Sequence, residues 1–545
     1  MSKVAHYLQE HLSGEVITNT DARKYFATDG SVFEVEPAII VYPRNENDVR
    51  KATRFTWQLA ERGRRVPITA RGAGTDQSGA AIGEGIILVF PAHMNRILEF
   101  DAKTGAVTVE PGLNYGKMQQ ALFTHGKFLP PFPASIEYST VGGAVGNNAG
   151  GDKSVKYGST RKYVKSLRFV LANGEVIETR RLSKRELSRK MGLATFEGEI
   201  YRSIDKLIEE NHDLVNSLPI AVTKNSAGYD LASVKGKGGS FDLTPLLVGS
   251  QGTLGVVTEI VFGSEPYIPT STLIVAGLQD VDQLQSLVEQ LNKLPYSPSA
   301  VEVVDQNLLN FVNSQNPNQL KDVVKKPIPK FIVLIEFDNA SQRHQKKMRN
   351  KVEKILSKLG VDFQIEVDED QKEELWKIRH SAGAITGFNQ GKAKAVPIIE
   401  DGIVPLERFG EYLHNVYSIF KRFGVDIAVW GHAGDANLHM QPFLDLSQVG
   451  DRQKVFKIID EYYSMVINLG GSTTGQHGDG RLRGPYLPKL YGQESYELFK
   501  KVKNIFDPYN TMNPGVKLDV TLEDAKRLLR YEYSLGHLYD HMPRM

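Results

Sequence analysis

The chain has 545 residues, 41% of them hydrophobic and 24% charged, and a formal net charge of +2. That composition describes a globular protein with core enough for about three or four domains, and no overall field that draws in nucleic acid or an anionic membrane. Cysteine is absent, which excludes disulfides, thiolate nucleophiles, cysteine-ligated iron–sulfur clusters and a flavin tethered through cysteine.

Met1–His6 carries no apolar signal core, and no apolar run reaches about 18 residues. The expectation is a cytoplasmic protein without a transmembrane segment; one docked peripherally on a membrane complex would read the same. Ala38–Val41, bounded by Pro37 and Pro43, predicts a short buried strand. Asn45 offers a cap, and Val49, Ala52, Thr56, Leu59 and Ala60 recur at helical spacing before Gly63.

Val66–Ala70 predicts the next strand, which delivers the chain into Arg71-Gly72-Ala73-Gly74-Thr75-Asp76-Gln77-Ser78-Gly79. Glycines let the backbone turn sharply and approach a ligand. Exposed N–H groups, the hydroxyls of Thr75 and Ser78 and the cation of Arg71 suit a pyrophosphate. It is not the dinucleotide fingerprint, because Gln77 stands where the last glycine belongs and no helix follows. Read alone, the loop is equally a polar surface turn.

Strands at Ile86–Phe90 and Val107–Pro111 and a helix over Tyr115–His125 come next. The second glycine stretch, Ser139–Gly151, has Walker spacing at Gly146 and Gly151, but Asp152 replaces the required lysine. Its glycines and asparagines predict a contact surface made of backbone. Val164–Ala172 and Glu175–Thr179 form a strand pair joined at Asn173-Gly174. Arg180–Arg189 reads as a solvated charge run and Lys235–Ser240 as a connector. A third cluster lies within Leu246–Glu259.

Three such clusters in this order resemble the FAD-binding domain of the vanillyl-alcohol oxidase/PCMH superfamily, most of all its D-lactate, D-2-hydroxyglutarate and glycolate dehydrogenase branch. The resemblance runs from about Glu36 to Leu518. It implies an α+β fold: a helical lead over residues 1–35, a PCMH-type FAD-binding domain over 36–265, a cap over 266–504, a return segment over 505–520 and a tail over 521–545. It implies FAD held by Arg71, Gly72, Ala73, Gly74, Thr75, Ser78 and Gly79, then by Ser139, Thr140, Gly142, Gly143, Gly146, Asn147 and Asn148. Gly158, Gly252, Gly255, Val257 and Asn513 complete that set. With no histidine in the first loop and no cysteine in the chain, the FAD is expected to be non-covalent.

From Pro266 onward, strands at Leu273–Ala276, Ala300–Val304, Phe331–Phe337 and Phe363–Val367 alternate with helices at Val281–Leu294 and His344–Leu359. That order predicts an antiparallel sheet with helices on one face. The chemistry concentrates in Trp430–His439 and Thr474–Gly480. If the hairpin turn centres on Asp435-Ala436, His432 and His439 oppose each other directly, where one divalent metal can bridge them. A hydrogen-bonded histidine pair is the plainer alternative. The resemblance implies a site for Zn, Mn or Fe at His432, His439 and position 476. The family's glutamate there is Gln476 in this chain, so the ion is either lost or kept through compensation by Glu400 or Asp479.

His477 is the expected general base, since an imidazole titrates near the pH at which a hydroxyl proton must be removed. The Trp376–Arg379 segment looks like the family's carboxylate-binding arginine, and Lys394 is a second candidate. The reaction implied is oxidation of a D-2-hydroxy acid to the 2-oxo acid. Rivals are an oxygen-using oxidase, a metallohydrolase built on the histidines, and a non-catalytic flavin-binding subunit. Thr521–Arg530 predicts an amphipathic helix, and the tail is expected either to receive a separate electron acceptor, an iron–sulfur protein, or to pack back on the chain. Homo-oligomerisation is left open.

Overall fold

The computed structural model describes residues 2–338, 341–383 and 392–536. Its first part holds two sheets. In one, the strands Ile39–Tyr42, Ile86–Val89 and Ile68–Arg71 run parallel, with Glu15–Ile17 added antiparallel at one edge. The N-terminal lead is therefore not only helical, because Val16 pairs with Val41 and ties the first residues into this sheet. The helix Glu46–Glu61, capped by the Asn45 side chain, packs Val49 and Ala52 against it.

The other sheet is antiparallel, in the order Ile97–Asp101, Ala106–Val109, Val256–Phe262, Val164–Val170 and Val176–Thr179. Its exposed edge strand Ile97–Asp101 carries no alternation that would announce it. Two helices also depart from the sequence expectation. Val141–Asn147 coils inside the second glycine stretch behind a Thr140 cap, and Phe196–Glu210 buries Ile200, Tyr201, Ile204 and Leu207.

The cap is a seven-stranded antiparallel sheet in the order Asp362–Glu366, Thr272–Leu278, Phe331–Phe337, Ala300–Asp305, Ile427–His432, Asn437–Leu444 and Lys394–Ala395. Helices cover both faces, not one. Val281–Asn292, Gln342–Leu359, Phe409–Phe423 and Val449–Asn468 fill one side, while Gln306–Gln315 and Glu369–His380 fill the other. The reason lies in Phe331–Phe337, whose seven residues are all buried. Phe331–Ile335 is apolar on both faces and needs cover on each, and Glu336 is buried against Lys153.

Asp305 ends the central strand Ala300–Asp305 and caps the next helix. Its Oδ1 accepts from Leu308 N at 2.9 Å and its Oδ2 from Tyr417 Oη at 3.0 Å. Burial raises its pKa to about 7, against the pull of those hydrogen bonds. A carboxyl raised in the fold contributes stability fully below its unfolded value and loses it as pH climbs through the folded one. Asp305→Asn keeps a good cap and has no charge to bury. Its thermal midpoint should exceed that of the native protein at pH 8, with the gap closing at pH 5. A gap independent of pH would show that Asp305 carries its charge in the fold without cost.

Candidate functional site

A cleft of about 910 Å³ lies where the glycine segments meet the cap. Gly72 sits flush on the second segment, since a Cβ there would fall 2.1 Å from Thr140 Oγ1. Gly74 has φ +79, and a Cβ on it would meet Arg71 Nη2 at 2.2 Å. At Gly146 a Cβ would meet nothing within 4 Å, because it would stand in the cleft itself. Asp76, which sequence reasoning passed over, organises this wall. Its carboxylate accepts from Ser78 N at 3.0 Å, Ala80 N at 2.8 Å and Asn147 Nδ2 at 3.0 Å.

Most of the expected cofactor residues line the cleft: Arg71 to Thr75, Ser139, Thr140, Gly142, Gly143, Gly146, Asn147, Gly252, Gly255 and Val257. Ser78, Gly79, Asn148, Gly158 and Asn513 are not among the lining residues. Asn513 donates to Ala80 O and Gln251 O and so clamps two loops from the rear. Arg71 is not the open cation that its position suggests. It is 2% exposed, donates to Thr28 O at 2.9 Å and lies over the Phe26 ring.

The opposite wall is polar. His432 pairs across the hairpin with Asn437 and His439 with Trp430, so the two histidines are diagonal and not directly opposed. The loop is Ala433–Asp435 with Ala436 at φ +52, which places the turn one residue earlier than expected. A diagonal still keeps both rings on one face, with the Nε2 atoms 3.2 Å apart.

Glu400 holds the centre. Its Oε1 lies 2.6 Å from His439 Nδ1, its Oε2 bonds His477 Nδ1, and Arg483 Nη2 is 3.3 Å from Oε2. Burial alone would raise the Glu400 pKa, but His477 and His439 hold it well below the usual carboxylate range. His477 moves the other way. Burial resists its protonation, yet Glu400 and Asp401 outweigh that and raise its pKa.

Arg379 is buried and comes from the end of helix Glu369–His380. Its Nε lies 2.6 Å from Glu302 Oε2, and its Nη2 stands 3.1 Å from Asp152 Oδ1, out of hydrogen-bond alignment. Arg379 Nη2 and Ser139 Oγ are buried polar atoms without a hydrogen-bond partner on residues that line the cleft. Such atoms, beside glycines whose Cβ atoms would collide or intrude, fit a large ligand rich in polar groups. Lys394 is not gathered here. It lies half-buried on the short strand paired with Leu444, away from the cleft lining.

The donor set at His432, His439 and Gln476 does not fit a divalent ion. Gln476 turns its Nε2 toward the His432 and His439 Nε2 atoms, at 2.9 and 3.2 Å, and its oxygen toward Lys224 Nζ, at 2.7 Å. Neither proposed substitute repairs this. Asp479 bonds Lys517 Nζ and Gly228 N instead, and Glu400 faces the Nδ1 atoms on the far side of the rings. Glu302, Asp152 and Lys224 carry no local signal in the sequence; they reach the site only through the fold.

The tail packs back on the chain through its described end. Helix Leu522–Leu528 leads to Arg530, which donates to Asp29 O at 3.2 Å, and Tyr533 Oη donates to Gly30 O at 2.9 Å. Leu535 and Gly536 then line the cleft, and Gly30 N donates to Gly74 O.

Residues 37–180 match the FAD binding domain, and residues 269–516 match the C-terminal domain of FAD linked oxidases. The chain is 30% identical over 489 residues to glycolate oxidase subunit GlcD of Bacillus subtilis, covering 89% of each. It is 28% identical to D-lactate dehydrogenase of Archaeoglobus fulgidus, covering 92% of this chain and 96% of that protein. It is 29% identical to D-2-hydroxyglutarate dehydrogenase of Escherichia coli, covering 93% of this chain but only 50% of that longer protein. Among solved structures, p-cresol methylhydroxylase has a TM-score of 0.69 at 16% identity, covering 96% of this chain and 97% of that one, a likeness of fold alone. The chain belongs to the FAD-linked oxidases of the vanillyl-alcohol oxidase/PCMH superfamily. It is an oxidoreductase, and its cofactor is FAD.

Asp76→Ala leaves several donors of the glycine wall unpaired. It should lower the FAD retained per chain and destabilise the fold by about 2 kcal/mol. Unchanged flavin content and thermal midpoint would show that the loop holds its shape without Asp76.

Proposed function

We propose that the chain oxidises a D-2-hydroxy acid to the 2-oxo acid and passes the electrons to a separate acceptor. The observation that carries this reading is the convergence of His477, Arg379 and the three glycine segments on one cleft. In this reading Arg71–Thr75, Ser139–Asn147 and Gly252–Val257 hold the cofactor without a covalent bond. Bound FAD supplies the acceptor for the hydride that leaves the substrate carbon.

The residues of the chain do the rest. Arg379 Nη2, which makes no aligned hydrogen bond although it lies 3.1 Å from Asp152 Oδ1, takes the substrate carboxylate, a contact for which a guanidinium is suited. Glu400 holds the His477 ring through Nδ1, leaving Nε2 to remove the hydroxyl proton. A raised pKa makes His477 a better proton acceptor, provided the pH keeps it neutral.

Anaerobic addition of D-2-hydroxyglutarate, D-lactate or glycolate should bleach the flavin absorbance. His477→Ala should keep its FAD but slow that bleaching by about 10²-fold or more. Failure of all three acids to reduce the flavin would sink the reading, and reduction of the variant at the native rate would remove His477 from the chemistry.

For the acceptor, the groove beside the tail is the surface of choice. Arg452, Lys457, Lys526 and Arg527 line it against one acid, Asp460, with Tyr531 71% exposed over Arg452. Deleting the chain from Tyr531 would also remove Leu535 from the cleft wall and the Tyr533 contact to Gly30, so point substitutions on the groove isolate its role. Charge reversal at Lys526→Glu and Arg527→Glu should leave flavin reduction intact and slow reoxidation by an acidic acceptor, most of all at low salt. Fast turnover of the isolated protein with oxygen alone would favour the oxidase alternative.

No described helix is long and apolar enough to cross a membrane.

A further inference from the structure

We propose that Gln476 and Lys224 close the His432–His439 pair into a metal-free hydrogen-bonded triad, so that this site works without a resident divalent ion.

Each ring has its Nδ1 against a carboxylate, His432 on Glu302 at 2.8 Å and His439 on Glu400 at 2.6 Å. Carboxylates accept, so both Nδ1 atoms carry the proton and both Nε2 atoms present lone pairs. Two lone pairs 3.2 Å apart need something positive between them. A divalent ion would serve. Here the Gln476 amide serves instead, with one N–H for each ring at 2.9 and 3.2 Å.

The orientation of that amide is fixed by chemistry. An ammonium has donors only, and Lys224 Nζ lies 2.7 Å from Gln476 Oε1. Turning the amide over would set its NH₂ against the ammonium and its oxygen against two lone pairs. Lys224 is itself pinned, 2.8 Å from Ser154 Oγ and 3.4 Å from Asp435 Oδ2, and it is 7% exposed. Gly150 backs the amide so closely that a Cβ there would lie 2.3 Å from Oε1.

A divalent ion at the two Nε2 atoms must therefore expel the NH₂ group and settle near a buried ammonium. It would find three neutral ligand atoms, because Glu302 and Glu400 reach only the far nitrogens of the two rings. Gln476 is a positioning residue in this arrangement. It sets both rings, and through the His439–Glu400 contact it steadies the carboxylate that holds His477.

The experiment uses the FAD-loaded full chain, dialysed against EDTA, with metal measured by elemental analysis and FAD by absorbance. The native protein should hold metal far below its FAD content, and chelation or added Zn²⁺ or Mn²⁺ should leave the rate of flavin reduction unchanged. Gln476→Glu supplies the missing anion and should retain on the order of tenfold more metal. Stoichiometric metal in the native protein, or a rate lost to EDTA and restored by either ion, overturns the inference. Equal and low metal in the native protein and Gln476→Glu overturns the role given to the amide. Should that variant fail to load FAD, Lys224→Met is the second probe, since freeing the amide oxygen should raise Zn²⁺ retention. The inference rests on the hydroxy-acid reading only for its rate arm; absence of flavin reduction with low metal content would count against that reading alone.

Discussion

One buried carboxylate, Glu400, sets the geometry of the site. A charge taken out of water costs several kcal/mol unless it is well paired, and Glu400 is paired from three sides by His439, His477 and Arg483. Those contacts fix which nitrogen of each ring carries the proton and so which faces the cleft. Its neighbour Asp401, at φ +71, turns the other way and accepts from Gln476 N, His477 N and Thr474 Oγ1. Two consecutive acids thus hold the side chain and the backbone of one histidine.

Much of the fold is legible in the sequence because it rests on local demands. The glycine segments announce themselves through close backbone approach, and the cap strands through apolar runs. The register of the Ile427–His432 hairpin is not legible, because it depends on Ala436 adopting the left-handed region, which alanine seldom does. The cover on both faces of the cap sheet is written in Phe331–Phe337, where five apolar residues in a row before Glu336 argue against a sheet open on one side.

The site divides in the same way. His432, His439, Gln476 and His477 sit in two short motifs and can be named from them. Lys224, Glu302 and Asp152 cannot, because each acts on a residue far along the chain: Lys224 is 252 positions from Gln476, and Glu302 is 77 from Arg379. Arg71 fails differently. Its place in a glycine loop suggests an open cation, while Phe26 and Thr28 draw the guanidinium beneath the loop. Residue type predicts what a side chain can do, and packing decides what it faces.

The contact between Tyr533 and Gly30 joins residues 503 apart. Asn513 likewise reaches Ala80 across 433 positions, and strand Ile68–Arg71 leans on Thr511 through its first N–H. During synthesis the glycine wall is made early, yet its supports come last. At about 5–20 residues per second, roughly half a minute to two minutes separate Gly30 from Tyr533. The nascent chain therefore carries an unfinished cofactor cleft over that interval, since the contacts that brace its wall from behind cannot form until Thr511, Asn513 and Tyr533 have been made.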